Sequence, residues 1–172
     1  WIQGDSRTAQ PDEEFDFVFS CPPYADLEVY SDDPADLSNL GYEDFRAAYR
    51  DIIAESVKRL KDNRFAAFVV GEVRGKGGAY YNFVGDTIQA FIDAGASYYN
   101  EAIFVTPVGT LPLRTGRAFS ASRKLGKTHQ NILVFCKGDA GKAAKFCGFV
   151  DVEQALTLAE ADGENEQEEI ER

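Results

Sequence analysis

The chain has 172 residues, 44% of them hydrophobic, which is typical of one globular domain that buries a core of its own. No apolar run approaches the roughly 20 residues that cross a membrane, and no basic and then apolar leader opens the chain, so we expect a cytoplasmic protein without membrane contact. The three cysteines, Cys21, Cys136 and Cys147, form no C-x-x-C pair, which argues against a metal site and against a disulfide framework. Because the chain begins at Trp1 within an apolar stretch and contains no methionine, we expect a segment of a longer protein.

The net charge of −11 is unevenly distributed along the chain. Residues 151–172 hold nine acidic side chains and one basic one, and we interpret them as an acidic helix or tail that follows a domain at 1–150. Residues 114–145 hold eight basic side chains and one acidic one. Such a segment can contact phosphate in spite of the acidic total, and a solvated loop is the alternative.

Hydrophobic periodicity predicts strands and helices in alternation. In chain order, we expect strands at 1–4 and 15–20, a helix at 42–60, a strand at 65–71, a helix at 80–94, strands at 99–106 and 130–137, and a short helix at 151–161. A long basic loop, 109–130, joins the last two strands. This order favours an α/β fold with a mainly parallel sheet, and the last strand, which follows no predicted helix, is expected to pair antiparallel at the end.

Three polar segments follow predicted strands, at the carboxyl ends where open α/β sheets bind ligands: 4–6 (Gly-Asp-Ser), 20–24 (Ser-Cys-Pro-Pro-Tyr) and 71–74 (Gly-Glu-Val-Arg). In the second segment, Pro22 and Pro23 fix their own φ angles and lack N–H donors, so they form a stiff corner with carbonyl groups free to accept. Tyr24 adds a ring that can stack. The combination suits a flat molecule that carries an amino group.

The segment Ser-Cys-Pro-Pro-Tyr after an apolar strand resembles the catalytic loop of S-adenosylmethionine-dependent DNA amino-methyltransferases, which read D-P-P-Y, N-P-P-Y or S-P-P-Y. The Gly-Asp-Ser segment resembles the preceding strand end in that family, and 127–139 resembles its closing antiparallel strand. The resemblance covers about residues 1–139. It implies a Rossmann-like class I methyltransferase sheet that lacks its first strands, with S-adenosylmethionine as the cofactor and double-stranded DNA as the partner.

The resemblance also implies roles for individual residues. The flipped base would stack on Tyr24, and its exocyclic amine would donate to the Pro22 carbonyl and to a side chain before the prolines, with Pro23 holding the loop rigid. Asp5 and Ser6 would contact the cofactor. Two further residues complete the set, Ser20 as a catalytic and cofactor-binding residue and Cys21 as a catalytic residue. Adenine N6 is the favoured target and cytosine N4 the second.

Two departures from the family pattern leave an alternative open. Cys21 stands where the family has Asp, Asn or Ser, and a thiol is a weak acceptor, so Cys21 could equally be a plain buried thiol. The glycine-rich loop and the ribose-binding acid of the family do not occur in the sequence, and we expect them before Trp1, in a missing N-terminal part that would be a partner. The alternative function is therefore a catalytically degenerate nucleic-acid-binding domain, and a methyltransferase of protein glutamine amides is a weaker one.

The long loop supplies the candidate DNA-binding residues. Its basic side chains could contact phosphates: Arg114, Arg117, Arg123, Lys124 and Lys127. Glu72 and Arg74 could line the pocket or form a salt-bridged strand end. His129 is the single histidine, and we expect it to position the loop by hydrogen bonding.

Overall fold

The structure is a computed structural model that describes residues 2, 4–9, 11–24, 29–33, 36–109, 111–149 and 151. In this part of the chain, four strands and four α-helices occur, together with a short 3-10 helix at Leu37–Asn39. In chain order they are β1 (Phe15–Ser20), α1 (Tyr42–Arg59), β2 (Leu60–Val70), α2 (Phe83–Asp93), β3 (Ser97–Val105), α3 (Leu111–Ser122), β4 (His129–Lys137) and α4 (Ala140–Cys147).

The four strands form one sheet in the order β1-β2-β4-β3. β1 and β2 are parallel, and β4 is antiparallel to both of its neighbours, β2 and β3. The strands β1, β2 and β3 therefore point the same way, which confirms the predicted, mainly parallel sheet with an antiparallel last strand. β4 lies inside the sheet, not at its end, because the long connection after β3 allows the chain to return between β2 and β3.

The helices α1 and α2 cover one face of the sheet. In α1, the buried side chains Phe45, Tyr49, Ile53 and Val57 recur every four residues, so they form one apolar stripe. The helix ends at Arg59, within one residue of the predicted boundary. Core side chains of α2, β2 and β4 meet this stripe and each other, the closest pair of rings being Phe91 and Phe135 at 3.8 Å between centroids.

The first predicted strand does not occur among the described residues. Ile2 and Gly4 are outside any strand, and Trp1 and Gln3 lie outside the described residues. The chain instead turns at once, since the Asp5 carbonyl accepts hydrogen bonds from the backbone N–H groups of Thr8 and Ala9. In the described part of the sheet, β1 is an edge strand, because β2 is its one described neighbour.

Two helices were not predicted. α3 occupies the first half of the expected loop at 109–130, and Pro112 is accommodated because it lies in the first turn, where its missing N–H has no partner in any case. None of the residues of α3 is buried. α4 begins after Asp139, whose carboxylate accepts from the Lys142 N–H at 2.8 Å. The predicted helix at 151–161 lies outside the described residues, apart from its first residue.

The described residues contain no helix that is both long and apolar enough to span a membrane.

Candidate active site

The segment at 20–24 forms a corner at the carboxyl end of β1, as its prolines predict. Cys21 is exposed, so the interpretation of this residue as a buried thiol is wrong. A cavity of about 310 Å³ lies at the corner. Its lining includes Ser20, Cys21, Pro22 and Pro23 together with Ser6 from the turn at 4–8. The structure thus brings together two of the three segments that the sequence singles out.

Tyr24 is held at this corner from two sides. Its half-buried ring meets Phe83 edge-on, with 5.6 Å between centroids and an interplanar angle of 69°. Its hydroxyl accepts a hydrogen bond from Nε2 of Gln130 at 2.6 Å. Burial raises the pKa of Tyr24 to about 12, so the hydroxyl is neutral at physiological pH. The position of the ring is therefore fixed by β4 as well as by the prolines.

Gln130 is a site residue that the sequence analysis missed. It is the second residue of β4, and β4 starts at the edge of the sheet where β2 ends because the two strands are antiparallel. Gly71 follows β2 at the same place, and a Cβ atom added there would lie 3.7 Å from the Tyr24 hydroxyl oxygen. The polar pair His129-Gln130 before an apolar run was the available signal, but it did not indicate which side chain would face the corner.

Asp5 and Ser6 line a second cavity, of about 440 Å³. The two cavities share residues from several segments: Ser6, Pro23, Leu37 and Ile52. The turn at 4–8 and the corner at 20–24 therefore border one concave region. Asp33 and Asp36 also line the second cavity, which gives it an acidic wall.

The carboxylate of Asp5 is paired with Arg7. The Arg7 guanidinium donates to both carboxylate oxygens, with Nη2 2.6 Å from Oδ2, and the backbone N–H of Arg7 donates to Oδ1 at 2.9 Å. These hydrogen bonds lower the pKa of Asp5 to about 2, so the carboxylate is ionised at neutral pH. Arg7 is a second lining residue that the sequence analysis missed; its signal is a cation two residues after an acid in a tight turn.

In the third segment, 71–74, neither Glu72 nor Arg74 has the contacts expected from the sequence. The Glu72 carboxylate accepts from the backbone N–H groups of Phe83 and Val84, at 3.1 Å and 3.3 Å, and so it caps the N-terminus of α2. Arg74 donates to the Gly78 carbonyl at 2.8 Å and lies over the Tyr80 ring. Neither residue forms the alternative salt bridge with any described residue, and neither lines the two cavities at the turn and the corner.

The basic candidates lie beyond the carboxyl end of β3. Arg114 and Arg117 are exposed on α3, a helix that hydrophobic periodicity does not predict. Arg123 follows the helix with a φ angle of 58°, and its guanidinium donates to the Phe119 carbonyl at 3.1 Å. No ion pair within the described residues neutralises the basic candidates, which are Arg114, Arg117, Arg123, Lys124 and Lys127.

His129 is exposed at the start of β4, where it pairs in register with Val105. Among the described residues, no group of three or more His, Cys, Asp or Glu side chains could hold a metal ion.

Solved structures identify the fold. A candidate DNA modification methylase from Thermus thermophilus, in complex with S-adenosyl-L-methionine, aligns with 79% of this chain and 54% of its own at 18% identity and a TM-score of 0.56. The cytosine-N4-specific PvuII DNA methyltransferase aligns with 77% of this chain and 47% of its own at 18% identity and a TM-score of 0.57. The fold is that of the DNA methylases. No protein-family model matches the chain, and no curated protein matches it.

The methylase fold confirms the architecture that the resemblance implied. The chain spans about half the length of the two methylase structures that it matches. The roles of the individual residues in a reaction are a matter for proposal, since identity below 20% carries the fold alone.

Proposed function

We propose that this chain is the catalytic portion of an S-adenosylmethionine-dependent DNA methyltransferase that acts on the exocyclic amine of a flipped base. The observation that carries the proposal is the corner at 20–24, which follows the carboxyl end of β1. It borders a concave region to which the turn at 4–8 also contributes. We place adenine N6 first as the target. Cytosine N4 is the second candidate, which is the specificity that the name of the PvuII enzyme gives for that protein.

The charge of the cavity at the turn suits the cofactor. S-adenosylmethionine supplies a methyl group on a positively charged sulfur when it is bound. Asp33 and Asp36 provide a negative environment for such a cation, while the charge of Asp5 is balanced by Arg7, which lines the same cavity. Asp5 stays ionised at neutral pH because Arg7 holds its pKa low, and Arg7 also fixes the direction of the carboxylate. Ser6 and Ser20, which line the cavity at the corner, complete the proposed cofactor-binding residues.

The corner orients the base. Tyr24 keeps part of its ring accessible and cannot turn freely, because Phe83 and Gln130 hold it. A base stacked on this ring would present its amine to the Pro22 carbonyl, which no helix or ladder engages. Hydrogen bonds from the amine to such acceptors aim the nitrogen lone pair at the methyl group, so positioning and electrostatics supply most of the rate. Asp5, Ser6 and Ser20 would hold the cofactor, which would supply the methyl group as its sulfur–methyl bond breaks, and the amine held at the Pro22 carbonyl would lose one proton to solvent.

Two residues before the prolines, Ser20 and Cys21, are candidates to accept a hydrogen bond from the amine of the base. Cys21 is exposed at the corner, where its thiol is a weak acceptor. Ser20 lines the same cavity with a hydroxyl, which is a better acceptor. We therefore assign the side-chain contact with the amine to Ser20 and the main contact to the Pro22 carbonyl.

Methyl transfer from isotopically labelled S-adenosylmethionine to DNA tests the function. The full-length protein that carries this chain is incubated with mixed-sequence duplex DNA, and the digested nucleosides are separated. We expect the label in N6-methyladenine, whereas label in N4-methylcytosine would establish the second target. Absence of label from both nucleosides, across varied duplexes, would contradict the proposal.

A second function rests on the substitution at Cys21. A domain that kept the fold and lost the reaction would bind DNA through the basic residues at 114–127 and transfer no methyl group. Duplex binding measured beside the transfer assay separates the two functions, because binding without transfer is the signature of the degenerate domain.

A further inference from the structure

The segment 73–81, here called the basic hairpin, follows β2 and has a defined fold of its own. Its two arms pair through an antiparallel bridge between Arg74 and Tyr80 and through a hydrogen bond from the Tyr81 N–H to the Val73 carbonyl at 2.9 Å. At Gly75, an added Cβ atom would lie only 2.7 Å from the Tyr81 ring, so no larger residue fits there without a shift. The backbone of the hairpin is therefore fixed by its own contacts.

The hairpin presents positive charge in a fixed arrangement. The Arg74 guanidinium lies 3.9 Å above the centroid of the Tyr80 ring and donates to the Gly78 carbonyl at 2.8 Å, so it is held flat and exposed. Lys76 is exposed at the tip. Lys124 approaches from the segment after α3, since a Cβ atom at Gly78 would lie 3.5 Å from its Nζ. Two distant segments therefore bring three cations to one surface.

No acidic side chain of the described residues neutralises this surface. Within the ranges that the structure describes, no ion pair involves Arg74, Lys76 or Lys124. Glu72 precedes the hairpin, but its carboxylate is engaged by the N–H groups at the start of α2. That cap also occupies the helix N-terminus, so the Gly-Lys-Gly-Gly run is not a nucleotide-binding loop of the kind that delivers phosphate to a helix end.

The hairpin lies next to the corner. Gly71 is two residues before it, and a Cβ atom there would lie 3.7 Å from the Tyr24 hydroxyl oxygen. A nucleic-acid strand that places a base at Tyr24 also brings the two phosphates that flank this nucleotide close to the corner. A surface with three cations, at the carboxyl end of the strand beside the corner, has the chemistry that binds those phosphates.

We propose that the basic hairpin is a phosphate-binding element, which contacts the phosphodiester next to the nucleotide at the corner through Arg74, Lys76 and Lys124. The assignment rests on the proposed function for the nature of the ligand, because that function places a DNA strand at the corner. It adds a contact on the β2 side of the corner to the contacts proposed for α3 on the β3 side.

The salt dependence of DNA binding tests this element in the 172-residue chain. A fluorescent 24-base-pair duplex is titrated at several potassium chloride concentrations, and log K is plotted against log salt concentration. The double variant Arg74→Gln/Lys76→Gln is expected to lower the magnitude of the slope by about 1.8, at roughly 0.9 per lost phosphate contact on duplex DNA. The single variant Lys76→Gln, at the exposed tip, is expected to lower it by about half as much and keeps the test valid should the double variant unfold.

Lys142→Gln/Lys145→Gln is the matched control, because it removes the same charge from exposed positions of α4. It is expected to keep the wild-type slope. A hairpin variant whose slope equals that of this control would overturn the proposed phosphate contact. That result would not affect the proposed methyl transfer. A wild-type chain that binds inorganic phosphate but no duplex would overturn the phosphate contact as well. Conversely, the expected slope change in a protein that transfers no methyl group would support the element and contradict the proposed function.

Discussion

The helix-covered face of the sheet and the carboxyl ends of its strands are held by different kinds of contact. Under α1 and α2, aromatic rings pack directly on one another: Phe91 stacks on Phe135, and Phe68 meets Phe91 edge-on at 4.8 Å. At the corner and in the turn at 4–8 beside it, single polar contacts hold the side chains, such as the hydrogen bond from Gln130 to Tyr24 and the ion pair of Arg7 with Asp5. Apolar burial dominates the free energy of folding, so the first region sets stability and the second is free to serve function.

The comparison separates stability from activity in this chain. A substitution in the core should lower the melting temperature and leave the rate of the folded molecules unchanged. A substitution at the strand ends should do the reverse. The following changes are ordered by the size of the effect that we expect.

The largest effect is expected in the core. Phe91→Ala removes a fully buried ring that packs between Phe68 and Phe135, and such substitutions cost about 3–5 kcal/mol of unfolding free energy. Urea denaturation of the 172-residue chain measures this loss. Phe104→Ala is the matched control, since Phe104 is 49% exposed on β3 and its removal leaves no enclosed cavity. Equal losses of unfolding free energy for the two variants would contradict the claim that the buried rings of the core set the stability.

The next effect concerns rate. Pro23→Ala loosens the corner and misplaces the Pro22 carbonyl, and a small misplacement can reduce a rate about a hundredfold. The melting temperature should change little, because Pro23 is only half-buried and lies outside the core cluster. Single-turnover methyl transfer by the full-length protein, measured beside thermal unfolding, gives both values. A wild-type rate in this variant would mean that Pro23 ends the strand and does not position the Pro22 carbonyl.

A smaller effect is expected for the contact that holds Tyr24. Tyr24→Ala should lose stacking of about 1–3 kcal/mol, or one to two decades in rate. Tyr24→Phe and Gln130→Leu each remove the 2.6 Å hydrogen bond, and each should raise the activation free energy of methyl transfer by about 1 kcal/mol. The double variant should cost no more than either single one, because the same contact is lost. Strictly additive losses in rate would mean that Gln130 does not act through Tyr24.

The sequence predicts the features that depend on neighbouring residues. The spacing of Phe45, Tyr49, Ile53 and Val57 predicts α1 almost to the residue, and the prolines predict the corner. Gln130 and Tyr24 are 106 residues apart, so their contact depends on the antiparallel entry of β4 between β2 and β3.

The same limit explains the misassigned segments. Glu72 reads as a pocket residue, yet it caps a helix that begins eleven residues later. α3 contains Pro112 and Gly116, residue types that disfavour a helix, so its sequence is typical of a loop.

Disulfide cross-linking tests the central claim most directly, that the amine of the target base lies at the corner. The chain supplies its own probe and control, since Cys21 is exposed at the corner, whereas Cys147 is exposed at the end of α4, which follows the opposite end of β4. A duplex that carries a disulfide tether on the exocyclic amine of the methylated base is incubated with the full-length protein. The Cys21 thiolate would attack the tether, form a protein–DNA disulfide and release the tether thiol.

We predict a cross-link that Cys147→Ser retains and Cys21→Ser loses. A cross-link that persists in Cys21→Ser and disappears in Cys147→Ser would place the base away from the corner and contradict the account. So would the absence of any cross-link in a protein that methylates the same site without the tether.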